Sequence, residues 1–571
     1  MKKIKSFLIL LLLTATFSCK KTLLDESPLD FLSATNAFKT SADFQASVNN
    51  LYRLVRAELY TTNDNDPFEY QYRTDIAFYV PAAFPANLSG EISPTSALME
   101  RHWRALYKIV SEANTILSRI PASQLSASDK TLFEARGRFF RAFAYRCLAY
   151  VWGGVPLITE EVTEAKVDYV RATRKEVYTQ VITDLAFAVT NLPAITASSI
   201  KDGEVSSQAA QHLLSEVYIA DGQFQNAITA ASAVISFPGM ALMTSRFGSR
   251  RTVTPGDVYW DLFRRGNQNR KNGSNNTEAI WVIQIETDIP GGAAITTTSF
   301  ASGDGYSLER VHVPLSRDVT VNNVATFNWP SSDYSSGGRG VGFWAPSKYF
   351  QDSVYASDPV NDIRNANHNF VRKFTVTKSS SPLYNTVIDY HNLPAGTRGT
   401  SGAVLSSGVP SRAMYPYQTK ATDPGNHPGN LYATPQTFPN EIKGGGGFTY
   451  QDQYMFRLAE TYLLRAEAQL GAGNAAAAAA DINIVRARSS ATPVTAGNVN
   501  IDYILDERIR ELGVEERRLF TLMRLGKWYD RVVKCNPFYA SAALPKYNLW
   551  PIPQSEIERN RGVVLVQNPG Y

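Results

Sequence analysis

The chain has 571 residues, beyond the size at which a single hydrophobic core keeps growing, so it holds either two domains or one helical array with large insertions. A hydrophobic content of 44% with 19% charged residues is ordinary for a folded protein. The formal charge of +5 drops to about +2 once Lys2, Lys3 and Lys5 of the leader are set aside, and carries no electrostatic footprint for nucleic acid.

The first 18 residues read as a lipoprotein signal peptide. Lys2, Lys3 and Lys5 form its positive end, Phe7 to Leu13 an apolar run too short to span a bilayer, and Thr14 to Ser18 a small-residue run that stops at Cys19. An ordinary secretory cleavage site needs no cysteine, whereas a lipoprotein signal ends just before one. Cys19 is therefore the expected lipidation site, with each buried methylene of its acyl chains contributing about 0.8 kcal/mol to anchoring. Of the two remaining cysteines, Cys147 falls on an apolar helical stripe and is expected to be a small buried hydrophobe.

Helical periodicity begins at about residue 42, with Phe44, Val48, Leu51, Val55 and Leu59 on one face. From 61 to 96 it disappears: Tyr70, Tyr72, Phe78, Tyr79 and Phe84 sit among prolines and polar residues. The acidic run there lacks the glycine and distal glutamate of a calcium loop and reads as a solvated turn. A second helix is expected from 97 to 120. The longest follows from Asp129 to Pro156, with Ser126 or Ser128 as its cap and Gly153-Gly154 as its stop. Its stripe of Leu132, Phe139, Phe143, Cys147 and Tyr150, widened by Phe140, Ala144 and Val151, needs partner helices on more than one side. Arg136, Arg138, Arg141 and Arg146 lie between these positions and are expected to be solvated or paired.

After a helix at 175 to 192, residues 207–235 and 456–488 repeat one form, two short helices joined at a glycine. Aligning Gly222 with Gly473 also aligns Ala227 with Ala478, as in tetratricopeptide-like units that stack because one alone cannot bury its apolar face. Between them, glycine, proline and serine clusters break every helical window, apart from a β-like run at 279–285. So long an irregular insertion is more often functional than idle. Trp329, Tyr334, Phe343, Trp344 and Tyr349 crowd around Ser335 to Gly342, which reads as a flexible, glycine-hinged loop; with no preceding strand and no Lys-Ser/Thr after it, it is not a phosphate loop. Rings displayed on such a loop would suit the C–H face of a sugar, with nearby polar groups taking the hydroxyls. The candidate ligand-binding residues are therefore Tyr70, Tyr72, Asp75, Tyr79, Trp329, Tyr334, Phe343 and Trp344. From 501 to 528, Glu507, Glu511 and Glu515 alternate with Arg508, Arg510, Arg517 and Arg518, a pattern expected to form an ion-pair lattice on a helix surface. The proline-pinned tail at 549–557 and 567–571 is expected to pack.

Several motifs resemble one family throughout the chain: Cys19 followed by Leu23-Leu24-Asp25 and Pro28; Arg138 to Glu160 ending in GGVPLITE; the helix pair from Ser207; Arg457-Leu-Ala-Glu460 with Leu464-Arg465-Ala466-Glu467-Ala468; Asp506-Glu507-Arg508; Glu515-Glu516-Arg517-Arg518; Arg524 to Trp528; and the closing LWPIP and QNPGY. The sequence resembles the SusD/RagB family of outer-membrane nutrient-binding lipoproteins. That resemblance implies a mainly α fold, a tetratricopeptide-like α/α superhelix with a large irregular insertion containing short β-strands. The corresponding regions are a signal at 1–18, an N-terminal helical region at 19–240, a variable, ligand-facing insertion at 241–453 and a C-terminal helical region at 454–571. It also implies lipid anchoring in the outer membrane facing the cell exterior, capture of an oligosaccharide (of peptides in some members), and partnership with a SusC-like TonB-dependent transporter.

No metal, cofactor or catalytic motif is legible. The 6 histidines lie far apart, and there is no Cys-x-x-Cys, His-Glu-x-x-His or Gly-x-Ser-x-Gly. The expectation is a binding protein and not an enzyme. The rivals are a glycosidase using Asp75, Asp304 or Asp333, since paired carboxylates need no sequence motif, and a purely structural surface adaptor.

Overall fold

The computed structural model describes residues 38–60, 66–80, 87–271, 273–287, 305–409, 411–448 and 450–571. Cys19, Phe84 and Asp304 lie outside these residues. Nine longer helices carry the scaffold among them: α1 (Ser41–Leu59), α2 (Ala97–Arg119), α3 (Ala127–Trp152), α4 (Arg174–Asn191), α5 (Ser207–Ala220), α6 (Phe224–Ile235), α7 (Leu458–Gly471), α8 (Ala475–Arg488) and α9 (Ile501–Glu511). Each of α2 to α6 packs on the next, and the α7–α8 pair docks on α5 and α6, so the two repeated units are direct neighbours in the stack. In each unit the glycine is required by backbone conformation and not by space. Gly222 and Gly473 have φ of 73° and 82°, and nothing stands within 4 Å of where a Cβ would be. Ala227 and Ala478 are fully buried at the crossings. Gly471 supplies the close approach between units, since a Cβ there would fall 2.4 Å from the Phe224 ring.

The long helix α3 is central, as its pattern predicts. Ser126 Oγ accepts the Asp129 N–H at 3.1 Å, and Gly153 (φ 77°) closes the other end. From Ala135 to Trp152 nearly every residue is buried. The arginines on it are paired, with carboxylates far off in sequence: Arg141 with Asp184 at 2.8 Å, Arg146 with Glu216 at 2.6 Å and Arg136 with Glu204 at 3.2 Å. The C-terminal tail packs on its end. Trp550 N–H donates to the Val151 carbonyl (2.8 Å), Trp152 Nε1 to Pro551 (2.9 Å), and Asn568 Nδ2 to Trp152 (2.9 Å).

The insertion is closed at its base by two antiparallel strands, β2 (Ala279–Ile283) and β4 (Gln453–Arg457). Trp281 of β2 enters the aromatic stripe of α3, with its ring 5.5 Å from Phe139 and 5.7 Å from Phe143. A second short pair joins the 61–96 region to the insertion: β1 (Ala77–Tyr79) runs antiparallel to β3 (Trp344–Pro346), with Tyr79 opposite Trp344.

The acid–base alternation around α9 does form an ion-pair lattice, but inside the protein and not on a helix surface. Glu507, Arg508 and Glu511 have no solvent exposure. Their partners arrive from distant elements, which the local pattern could not show. Arg364 of the insertion lies 2.8 Å from Glu507 and 3.0 Å from Glu511. Arg457 and Arg488 reach Glu511, and both also reach Glu278 at the start of β2, at 2.9 and 3.2 Å. Lys420 Nζ donates to the carbonyls of Glu511 (2.6 Å) and Leu512 (3.0 Å) and to the Glu515 carboxylate. On the far side, Asp75 is held by Arg518 at 2.8 Å and Arg531 at 2.9 Å.

Burial opposes ionisation of Asp75, but the Arg518 and Arg531 guanidiniums outweigh it and hold its pKa down to about 2. Glu507 is likewise brought to about 2, against its burial, by Arg364, Arg510 and Arg486. Unfolded, the two would titrate near 3.8 and 4.5. Depressed folded-state values stabilise above the unfolded pKa, and that stabilisation is lost as pH falls through the folded one. Denaturation measured across pH should therefore show stability level down to about pH 4.5 and then falling steadily toward about pH 2. At pH 7, Asp75→Asn should cost about 3–5 kcal/mol by leaving two buried guanidiniums short of a counter-charge. A flat acid limb, or a variant as stable as the parent, would contradict this.

Candidate functional site

A strap from Arg339 to Phe343 crosses the insertion between two half-buried rings, Trp329 and Phe343. Trp329 Nε1 donates to the Gly340 carbonyl at 3.0 Å, Val341 N–H to Arg310 at 2.8 Å, and Arg412 Nε to the Val341 carbonyl at 2.9 Å. Guanidiniums lie over the rings. Arg412 is 4.5 Å and Arg310 5.8 Å from the Phe343 centroid; Arg317 is 4.7 Å and Arg339 5.5 Å from that of Trp329. The side chains of Arg310 and Arg339 both approach Gly447, which links the two halves of the row. Tyr79 extends it, its ring 6.0 Å from Phe343.

The glycines of this strap and of the turn that leads into it are not hinges, contrary to the sequence-based expectation. A Cβ on Gly338 would fall 2.1 Å from Glu309 Oε1, on Gly340 2.3 Å from the Val313 carbonyl oxygen, and on Gly337 2.6 Å from Val313. They permit close backbone approach inside a packed layer. Asp333 reinforces it by accepting the N–H groups of Ser335 (2.7 Å) and Ser336 (2.8 Å).

Four of the predicted ligand residues are core residues instead. Tyr70 is fully buried and donates its hydroxyl to Glu58 at 2.5 Å, and Tyr72 is 1% exposed beside Tyr79. Asp75 is locked between its two arginines. Trp344 is 2% exposed, 4.4 Å from the His312 ring. Strand alternation explains the last: neighbours on β3 and just before it point to opposite sides, so Phe343 and Trp344 cannot share a face, any more than Phe78 and Tyr79 can. Tyr334 turns away toward Trp260, Arg250 and Arg264. The structure therefore gathers Tyr79, Trp329 and Phe343, and sequence reasoning missed the four arginines between them. Their only signal was arginine placed beside aromatic residues in an irregular segment.

Neither described carboxylate of the glycosidase rival is placed for acid/base work. Asp75 is a buried ion-pair partner and Asp333 a turn-former. A relay with the connectivity of a nucleophile, base and acid does occur: Ser332 Oγ lies 2.7 Å from His427 Nδ1, and His427 Nε2 lies 2.9 Å from Glu309. All three are buried. Ser332 Oγ accepts Gly425 N–H and Tyr432 O–H, while Glu309 also accepts Thr422 O–H and Arg339 N–H. The relay is thus committed to holding the strap, and no substrate carbonyl could reach the serine as it stands.

Away from this face, Trp103, Tyr107, Tyr169, Ile158, Asn560 and Leu565 line an open groove of about 400 Å³ between α2, the 156–170 segment and the C-terminal tail. Among the described residues no group of three or more His, Cys, Asp or Glu could hold a metal, and no helix is long and apolar enough to cross a membrane.

A stacked helix-pair scaffold bearing an irregular insertion closed by two strands defines the architecture. The SusD family model matches residues 277–571, and a second model, described as starch-binding associating with outer membrane, matches residues 24–219. The chain belongs to the SusD family. SusD-like protein P2 of Formosa agariphila is 25% identical over the full length of both chains, and SusD-like protein P25 of the same organism 22% identical over 96% of this chain and 95% of its own. The starch-binding protein SusD of Bacteroides thetaiotaomicron is 34% identical over 24% of this chain and 25% of its own. Among solved structures, a laminarin-binding SusD-like protein superposes with a TM-score of 0.66 at 22% identity, over 94% of this chain and all of that one. Surface glycan-binding protein A of Bacteroides thetaiotaomicron, in complex with laminarihexaose, gives a TM-score of 0.64 at 19% identity over 92% and 99% of the two chains. These likenesses establish the fold.

Proposed function

We propose that the chain is a cell-surface lipoprotein that captures an oligosaccharide on the Tyr79–Phe343–Trp329 face and passes it to a TonB-dependent outer-membrane transporter, without cutting it. The observation that carries this reading is the row itself. Three half-buried rings gather along one strap, Phe343 on it, Trp329 bonded to its Gly340 carbonyl and Tyr79 beside Phe343, where a ligand meets them with little left to order. The SusD-like relatives and the laminarin- and laminarihexaose-binding structures support glycan as the ligand class. The outer-membrane description of the matching family model supports the location. Lipidation at Cys19 would supply the anchor, and the transporter partnership rests on family resemblance. A glycosidase is disfavoured by the commitments of Asp75 and Asp333.

Titration of the full-length chain in detergent against a panel of soluble oligosaccharides should give heat with at least one. Phe343→Ala and Trp329→Ala should each weaken that binding by about tenfold or more, equivalent to about 1.4 kcal/mol, as expected for an aromatic anchor. Full affinity in both variants would remove the site, and release of new reducing ends during the titration would point to the glycosidase. For the anchor, Cys19→Ala should move the protein from the membrane fraction to the soluble fraction when cells are fractionated; a variant that stays with membranes would refute lipidation there.

A further inference from the structure

The proposed face is more cationic than a plain sugar platform needs to be. In glycan recognition by bare stacking, the open face of a ring meets the C–H face of a neutral pyranose, and flanking polar groups take the hydroxyls. Here the faces of both Trp329 and Phe343 have guanidiniums over them, at 4.7 and 4.5 Å for the nearer of each pair. A ligand on either ring lies within reach of a positive charge.

The state of two of these arginines adds to this. Arg412 makes no ion pair among the described residues; its Nε is used on the Val341 carbonyl, and its guanidinium carbon lies 4.5 Å from the Phe343 centroid. Its pKa is lowered, first by burial and then by the like charge of Arg310, so the attraction of Asp318 and the nearby tyrosines does not balance it. Arg317 is 55% exposed, and among the described residues its one carboxylate contact, Asp318, lies at 3.3 Å through Nε. That contact is of the weak, solvent-screened surface kind, so an incoming anion can compete for it. Glu309, the other acid beneath the strap, is already shared between His427, Thr422 and the Arg339 N–H. Arg310 and Arg339 stand further off, at 5.8 and 5.5 Å from the Phe343 and Trp329 rings.

We propose that the oligosaccharide this chain takes is acidic, carrying carboxylate or sulfate groups that Arg317 and Arg412 receive while its sugar rings lie beside Phe343, Trp329 and Tyr79. This rests on the reading of that face as the glycan site and names its ligand class. Arginine suits the task because its planar fork takes carboxylate or sulfate oxygens two at a time. The arrangement also gives selectivity. A neutral sugar leaves these guanidiniums without an anionic partner, whereas an acidic one supplies it.

The test titrates the full-length chain in detergent with three probes of equal length: hexagalacturonate, a carrageenan-type hexasaccharide that carries sulfate but no carboxylate, and neutral laminarihexaose. At least one acidic probe should bind about tenfold or more tighter than laminarihexaose. That advantage should shrink as salt is raised from about 50 to about 500 mM, since ionic contacts are screened over such a range. Which acidic probe wins decides between carboxylate and sulfate. Arg317→Gln, at an exposed position where folding is not at stake, should cut the acidic affinity several-fold. Arg317→Gln combined with Arg412→Gln should bring it to the neutral level, and Arg412→Lys should keep part of it. Laminarihexaose binding as tightly as either acidic probe, indifferent to salt and to the arginine variants but lost in Phe343→Ala, would overturn the charge inference while leaving the glycan site standing. Failure of both acidic probes to bind would also overturn it.

Discussion

Glu511 sits without solvent access among guanidiniums drawn from three parts of the chain: Arg364 from the insertion, Arg457 from the strand that closes it, and Arg488 from the repeated helix pair. Burying that many charges is tolerable only because each is met by a counter-charge in good geometry, and removing any one leaves the others exposed to the full desolvation cost. The consequence is conformational. Lys420 and Arg364 bind the insertion to the end of α9, Glu278 binds β2 to the same cluster, and Trp281 drives β2 into the aromatic stripe of α3. An insertion with little regular structure of its own is thereby fixed to a helical stack at several independent points.

That fixing turns irregular loops into a platform. The strap from Arg339 to Phe343 rests on buried groups: Glu309 below Gly338, the Val313 carbonyl below Gly340, the Ser332–His427 relay beside it. Rings placed on such a base lose little freedom when a ligand arrives, and guanidiniums over those rings keep their direction through the cation–π contact. The same rigidity explains why the rings beneath, Tyr70, Tyr72 and Trp344, belong to the core. They fill the layer that supports the exposed ones.

The helical stack was legible in the sequence because its signals are local: apolar residues at helical spacing in α3, capping at Ser126, glycine stops at Gly153, Gly222 and Gly473, small residues at Ala227 and Ala478. The interior of the lattice was not. Arg364 and Glu511 are 147 residues apart, and alternating acids and bases look the same whether a helix faces water or a set of distant arginines. The glycine-rich strap misled for a related reason. Glycine permits both bending and close approach, and only the neighbours, Glu309 and Val313, decide between them. Of the ring candidates, composition could say that they were numerous but not which were displayed; alternation along Phe78-Tyr79 and Phe343-Trp344 halves the choice once the strands are known. The arginines that define the face escaped notice because each is an ordinary surface residue until the fold brings Arg310, Arg317, Arg339 and Arg412 to two rings.

If the strap and the rings beside it are the proposed glycan face, binding must leave its mark there. Hydrogen–deuterium exchange on the full-length chain, with and without a saturating oligosaccharide ligand, reads that mark. Exchange should slow in peptides covering 310–318, 339–344 and 77–80, with α7 and α8 unchanged; protection confined instead to 103–114 and 156–170, around the groove on the helical face, would place the ligand elsewhere.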